Sequence, residues 1–191
     1  MRGEWCYFKA RLNNDACDVL LNEALKIEPQ KATMGVDNKI FGDNQYRRSD
    51  IRFINNDNQQ FSWVFDDLWR MAIQANRDWF GFHITNLDFI QVAEYRDDVR
   101  GEYKRHHDTF WINETPYHRK ITCVIQLTDP SQYEGGDLEL YDLHDNHPDK
   151  QELRTRGTAI FFPSFINHAA TPVTKGTRHS LAAWFEGPKF V

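Results

Sequence analysis

The hydrophobic pattern changes period near Ile84, and that change bounds the fold. Upstream, apolar residues recur at helical spacing. Asn14 or Asp15 can cap a helix carrying Cys17, Val19, Leu20, Leu21, Ala24, Leu25 and Ile27, which Pro29 ends. Ser62 can cap a second, with Trp63, Val64, Leu68, Trp69, Ile73 and Trp79 at the same spacing and Gly81 as its stop. Those aromatics read as core packing rather than a cofactor box. Downstream the period falls to two: Leu87, Phe89, Gln91, Ala93 and Tyr95 alternate with Asp88, Ile90, Val92 and Glu94. Ile121 to Leu127, Asp137 to Tyr141, Thr158 to Phe162 and Ser180 to Phe185 add strands, punctuated by Gly135-Gly136, Arg156-Gly157 and Lys175-Gly176. Two helices followed by many short strands predict a mainly β fold, with helices supporting a sandwich or jelly roll. Gly35 to Gln60 is polar and reads as a mobile loop around a short strand, Ile51-Arg52-Phe53-Ile54.

The chain has 191 residues, enough for one well-buried core and too few for two ordinary enzyme domains. We read 1–191 as one domain, with helical support over about 1–82 and a jelly-roll core over about 83–191. With 28 acidic and 23 basic residues, the net charge of −5 supplies no positive field for phosphate backbones, so nucleic acid is not the expected partner. Cys6, Cys17 and Cys123 fit neither a zinc signature nor a disulfide framework and read as reduced thiols. The start, Met1-Arg2-Gly3-Glu4-Trp5-Cys6-Tyr7, lacks a signal-peptide core. No run approaches the roughly 20 apolar residues of a membrane span. These features predict a soluble, cytoplasmic protein.

The candidate chemistry rests on His106 and Asp108, as His-x-Asp in Tyr103-Lys104-Arg105-His106-His107-Asp108, and on His168 after Phe162-Pro163-Ser164. Two imidazoles and one carboxylate cover one face of an octahedral metal and leave the other open, which suits non-haem Fe(II). His-x-Asp alone is weak, and His147-Pro148-Asp149 also fits it. Context separates the two. His147 has no strand leading into it, whereas strands lie between His106 and His168 and let strand ends converge. His107 points away from His106 and Asp108 in an extended segment, as a surface or supporting residue. His118, His144 and His179 have no partner at useful spacing. Arg178 opens an apolar strand with Ser180 on its own face; a buried guanidinium needs an anion, and its fork matches a carboxylate.

With these residues the sequence resembles the Fe(II)- and 2-oxoglutarate-dependent dioxygenases, and within them the prolyl 4-hydroxylase-like branch, over roughly Arg47 to Pro188. The iron triad maps onto His106, Asp108 and His168. The basic residue for the distal carboxylate of 2-oxoglutarate maps onto Arg178, with Ser180 completing Arg-x-Ser. Tyr95 takes the place of a tyrosine that reaches the cosubstrate, and Gln126 stands where many prolyl hydroxylases place a tyrosine against the distal carboxylate. Gly135-Gly136-Asp137-Leu138 and Glu186-Gly187-Pro188 also fit. Trp184 and Arg119 match residues beside the target proline and at the substrate mouth. Trp111 and the loop around Arg47, Arg48 and Asp50 are candidate covers for the substrate.

The resemblance implies a double-stranded β-helix, cupin-like, holding Fe(II) inside one end. It implies an enzyme that takes 2-oxoglutarate and O2 as cosubstrates, with ascorbate as accessory reductant. Such an enzyme would hydroxylate a prolyl residue of a protein or peptide, with succinate and CO2 as co-products. Two alternatives stay open: the same chemistry on a small molecule or nucleobase, and a non-catalytic metal-binding jelly-roll module. The Arg178/Ser180 pair argues against the second, because a structural metal needs no buried carboxylate clamp.

Overall fold

The computed structural model describes residues 2–31, 46–144 and 146–191, together with the backbone of 34–36 and 39–41. In chain order these form β1 (Cys6–Phe8), α1 (Asn14–Ala24), β2 (Gln30–Lys31), β3 (Met34–Val36), β4 (Lys39–Phe41), β5 (Arg47–Arg48), β6 (Asp50–Asn55) and α2 (Ser62–Ala75). Then follow β7 (Phe89–Arg96), β8 (Glu102–His106), β9 (Tyr117–Gln126), β10 (Tyr133–Gly135), β11 (Leu138–Leu140) and α3 (Lys150–Arg154). The chain closes with β12 (Ala159–Pro163), β13 (His168–Ala170) and the long β14 (Val173–Pro188).

The larger sheet has eight strands in the order β1-β12-β9-β14-β7-β6-β2, with β10 also paired to β14. The smaller has four, β11-β13-β8-β5. Every pairing is antiparallel, as the jelly-roll expectation requires. Alternation divides the larger sheet into two faces. Ile90 and Val92 of β7, Cys123 and Ile125 of β9, and Leu181 and Ala183 of β14 join the main hydrophobic core. The helices pack there, with Cys17, Leu20 and Ala24 of α1 and Val64, Leu68, Met71 and Ala75 of α2. Each large side chain buried this way contributes about 1.5–3 kcal/mol. The other face, with Gln91, Ala93, Tyr95, Ser180 and Ala182, lines a cavity whose other wall is the smaller sheet.

Local signals differ from expectation in detail. The cap of α1 is Asn13, whose Oδ1 accepts from the Ala16 N–H, not Asn14 or Asp15, and the helix ends at Ala24, well before Pro29. Ser62 is the first residue of α2 without capping it; Asn58 caps the short 3₁₀ turn that leads in. Gly81 does stop the second helical segment, in the left-handed region at φ 74°. Gly35 to Gln60 holds more strand than a loop around one strand, because β4, β5 and β6 fall within it and β3 runs into it. Residues 37, 38 and 42–45 of that stretch lie outside the described residues. The N-terminal part also supplies sheet strands as well as helices, since β1, β2, β5 and β6 all precede residue 83. Among the described residues, no helix is long and apolar enough to cross a membrane.

Candidate active site

Antiparallel pairing within the smaller sheet brings the two histidines of the sequence motif together. His106 ends β8 and lies opposite His168, the first residue of β13. Asp108 follows just beyond β8, where its N–H and that of Thr109 both donate to the Ser164 carbonyl (2.7 and 3.1 Å). Each imidazole is held from behind. Nδ1 of His106 donates to the Lys104 carbonyl (2.7 Å) and Nδ1 of His168 to the Ile166 carbonyl (3.0 Å). A carbonyl can only accept, so the proton sits on Nδ1 and Nε2 faces inward. His106 Nε2 lies 3.7 Å from Asp108 Oδ1, and His168 Nε2 lies 3.4 Å from Oδ2. The three donor groups lie within 4.8 Å of one another.

Burial first, and then the adjacent His168, push His106 down to about 3, so its imidazole is neutral near pH 7. Burial acts to raise Asp108, but His168, His106 and then Arg119 outweigh it and hold the carboxyl at about 2. Among the described residues, no Lys or Arg lies within ion-pair distance of this buried carboxylate. A divalent cation among the three donors satisfies it, and the set of two imidazoles and one carboxylate fits Fe(II).

A cavity of about 260 Å³ opens over these donors. Arg178 and Ser180 line it from β14 and Tyr95 from β7, with Arg178 opposite Tyr95 in the ladder. Arg178 is buried; its guanidinium lies 5.4 Å from the Tyr95 ring centroid and has no carboxylate within ion-pair distance among the described residues. Its Nε donates to Gln126 Oε1 (3.0 Å). The resemblance puts Gln126 against the distal carboxylate of the cosubstrate, and here the structure differs. Its amide nitrogen is committed to the Thr128 carbonyl (3.1 Å) and the Tyr133 hydroxyl (2.9 Å), so it braces Arg178 from outside the cavity.

Trp184 and Arg119 both line the cavity, and the Arg119 guanidinium lies 4.1 Å from the Trp184 ring centroid. Strict alternation from Thr122 would put Lys120 rather than Arg119 on this face. A register shift between Phe185 and Glu186, which pairs Phe185 with Ile121 and Glu186 with Arg119, turns Arg119 inward. Among the described residues, the buried indole Nε1 of Trp184 has no partner at ordinary hydrogen-bond distance, although it is near enough to Asp108 to help hold that carboxyl low.

Trp111 does not reach the cavity. It is 51% exposed and packs near His118 and Phe190, while its neighbour Phe110 lines the cavity instead. The expected cover around Arg47, Arg48 and Asp50 is not a loop, because all three lie in strands β5 and β6. Arg48 is held by Glu102 (2.7 Å) and Asp50 by Lys31 (2.5 Å).

The remaining histidines sort by long-range partners that spacing does not reveal. His179 lies 3.5 Å from Glu94, and His144 lies 3.1 Å from Glu4. His118 is buried and accepts from the Phe190 N–H (3.2 Å). His107 is exposed but touches the cavity edge. Asp149, of the competing His-x-Asp, caps α3 by accepting from the Glu152 N–H (3.0 Å).

Three supporting residues went unread in the sequence. Thr122 Oγ1 donates to Asp108 Oδ2 (2.8 Å) and lies 3.0 Å from Ser164 Oγ. Tyr103 stacks on His106 with ring centroids 3.4 Å apart. Alternation puts Thr122 on the face of Val124 and Gln126, a signal available in the sequence; the stacking of Tyr103 had none.

A family model described as the 2OG-Fe(II) oxygenase superfamily matches residues 90–186. A PKHD-type hydroxylase of Caulobacter vibrioides is 35% identical over 99 residues, covering 52% of this chain and 37% of that protein. One of Aliarcobacter butzleri is 36% identical over 90 residues, 45% of this chain and 38% of that protein. The chain thus spans little more than a third of the length of these curated relatives. Among solved structures, a Pseudomonas putida prolyl-4-hydroxylase superposes with a TM-score of 0.71 at 19% identity, over 96% of this chain and 92% of that one. A prolyl hydroxylase from Trichoplax adhaerens, in complex with a hypoxia inducible factor oxygen degradation domain peptide fragment, gives 0.72 at 19% identity, over 96% and 83%. At these identities the structural likeness is one of fold.

Proposed function

This chain belongs to the 2OG-Fe(II) oxygenase superfamily, and from that premise we propose that it hydroxylates a prolyl residue in a protein or peptide, with 2-oxoglutarate and O2 as cosubstrates. The observation that carries this reading is the buried His106/Asp108/His168 cluster sharing one cavity with Arg178, a guanidinium that meets no carboxylate within ion-pair distance among the described residues. His106, Asp108 and His168 would hold the metal. When bound, Fe(II) supplies a centre at which oxidative decarboxylation of 2-oxoglutarate to succinate and CO2 is coupled to hydroxylation of a C–H bond.

The protein's own part is positioning. Arg178 binds the distal carboxylate of 2-oxoglutarate, Ser180 and Tyr95 flank it, and Gln126 fixes the Arg178 side chain from behind. Thr122 and Ser164 hold the Asp108 carboxylate in one rotamer. Trp184 and Arg119 form the wall against which the target ring packs, and the aromatic side chains keep water from the reacting bond. A prolyl segment in extended or polyproline conformation suits such an open-mouthed cavity. We read residues 1–191 as one working unit, because the helices bury the far face of the very strands that carry the site. Ascorbate serves as accessory reductant. Three free, buried thiols and a ferrous centre both suit a reducing compartment, and we place the protein in the cytoplasm.

The test is succinate release from 2-oxoglutarate with Fe(II) and O2, with and without proline-rich peptides. Wild type should form succinate, faster with a suitable peptide, and both His168→Ala and Arg178→Ala should reduce the rate at least about a hundredfold. Succinate formation that survives both substitutions would sink the assignment.

A further inference from the structure

We propose that Arg47 is a specificity-determining residue that binds a carboxylate on the substrate, so that the preferred substrate carries Asp, Glu or a free chain terminus next to the residue being hydroxylated. This rests on reading the cavity as an oxygenase site for a polypeptide, and it adds a preference that the reading does not contain.

Arg47 lies on β5 opposite Tyr103 and lines the same cavity as the metal ligands. It is only 9% exposed. Its Nε donates to Ser49 Oγ (2.9 Å), and its guanidinium carbon sits 4.3 Å from the Tyr103 ring centroid. Its Nη2, however, is buried with no hydrogen-bond partner, and no carboxylate lies within ion-pair distance among the described residues. A buried guanidinium with an unmet N–H is costly unless an anion arrives to meet it.

The arginines around it lack this deficit. Arg48 pairs with Glu102 and donates to the Arg100 carbonyl, and Arg52 pairs with Glu94. Within the cavity, Arg178 is taken by the cosubstrate, and Arg119 has Glu186 at 3.8 Å and the Trp184 ring. Among the described residues that line the cavity, Arg47 is left without an anion. Charge leads to the same conclusion. Arg47, Arg119 and Arg178 line the cavity, and against them stand Asp108 and the Glu186 that meets Arg119, leaving an excess of one positive charge. Fe(II) and the 2-oxoglutarate dianion cancel each other, so that excess remains for the substrate. Position completes the argument, because the Tyr103 ring contacts both the Arg47 guanidinium and the His106 imidazole, so a carboxylate held by Arg47 lies near the metal ligands.

The experiment measures binding to protein loaded with Mn(II) and 2-oxoglutarate without O2. The probes are fluorescent proline-centred decapeptides with amidated termini and Glu or Gln beside the proline, peptides that end one residue after the proline with a free or amidated terminus, and the α-amides of N-acetyl-glutamate and N-acetyl-glutamine as small probes. A carboxylate-bearing probe should bind at least about tenfold tighter than its amide. Arg47→Met should erase that ratio and Arg47→Lys retain part of it, with affinity for 2-oxoglutarate unchanged in both. The Glu and terminus arms separate the two sources of carboxylate. If only the small probes show the Arg47-dependent ratio, the role of Arg47 stands and the polypeptide reading falls. If no pair shows a carboxylate preference, if the preference survives Arg47→Met, or if Arg47→Met weakens 2-oxoglutarate instead, the proposal is overturned.

Discussion

At the scale of single residues, the site depends on buried polar groups whose orientation is imposed by a second group. Asp108 needs both carboxylate oxygens in place, and its backbone N–H, the Thr122 hydroxyl and the Ser164 hydroxyl together leave it one arrangement. Residues that orient a metal ligand are worth about 10–100-fold in metal affinity. Thr122→Val keeps the shape and removes the donor, so Mn(II) titration should show affinity reduced about tenfold with the fold unchanged; an unaltered affinity would mean the hydroxyl only fills space. The triad was legible because its residue types and strand-bounded spacing are local. Gln126 was misread for a reason of the same scale: facing the right residue does not leave a donor free, and its amide N–H groups are already taken by Thr128 and Tyr133.

At the scale of elements, strand ends and turns decide what the site can reach. The turn between β10 and β11 comes within touching distance of the carboxylate clamp. Gly136 has φ 64°, and a Cβ there would stand 2.9 Å from Arg178 Cδ. Gly136→Ala should therefore strain the turn by about 1 kcal/mol and displace Arg178 as well. Calorimetry is expected to show 2-oxoglutarate binding weakened several-fold, beyond any loss of thermal stability. Register acts in the same way on β9 and β14. One bulge beside Glu186 exchanges Lys120 for Arg119 as the residue facing the cavity, so a strand read as continuous alternation would aim the wrong cation at the substrate.

For the whole molecule, the larger sheet is the common wall of two compartments, and charges on its neighbouring strands tie those strands together. Glu94 of β7 meets His179 of β14 and Arg52 of β6. His179 first, with Arg52 helping against the opposing effect of burial, holds Glu94 at about 2, against an ordinary 4.5. A depressed carboxyl stabilises the fold fully above its unfolded value and loses that contribution as pH falls through the folded one. Denaturant unfolding should show about 2 kcal/mol lost between roughly pH 4.5 and 2 on this account. Glu94→Gln should flatten that part of the profile while lowering stability at pH 7; an unchanged acid limb would remove Glu94 as its source. By itself the sequence determined the period change near Ile84, the jelly-roll class, the His106/Asp108/His168 triad and the burial of Arg178, because periodicity, strand spacing and ligand chemistry are carried by residue types along the chain. The tertiary structure alone decided that Trp111 lies outside the cavity, that Gln126 braces instead of binding, that the Arg47 segment is strand, and that Glu94 and Glu4 answer His179 and His144. Those outcomes depend on bulges, register and contacts between distant segments, which pack whole surfaces against each other and leave no periodic trace in the sequence.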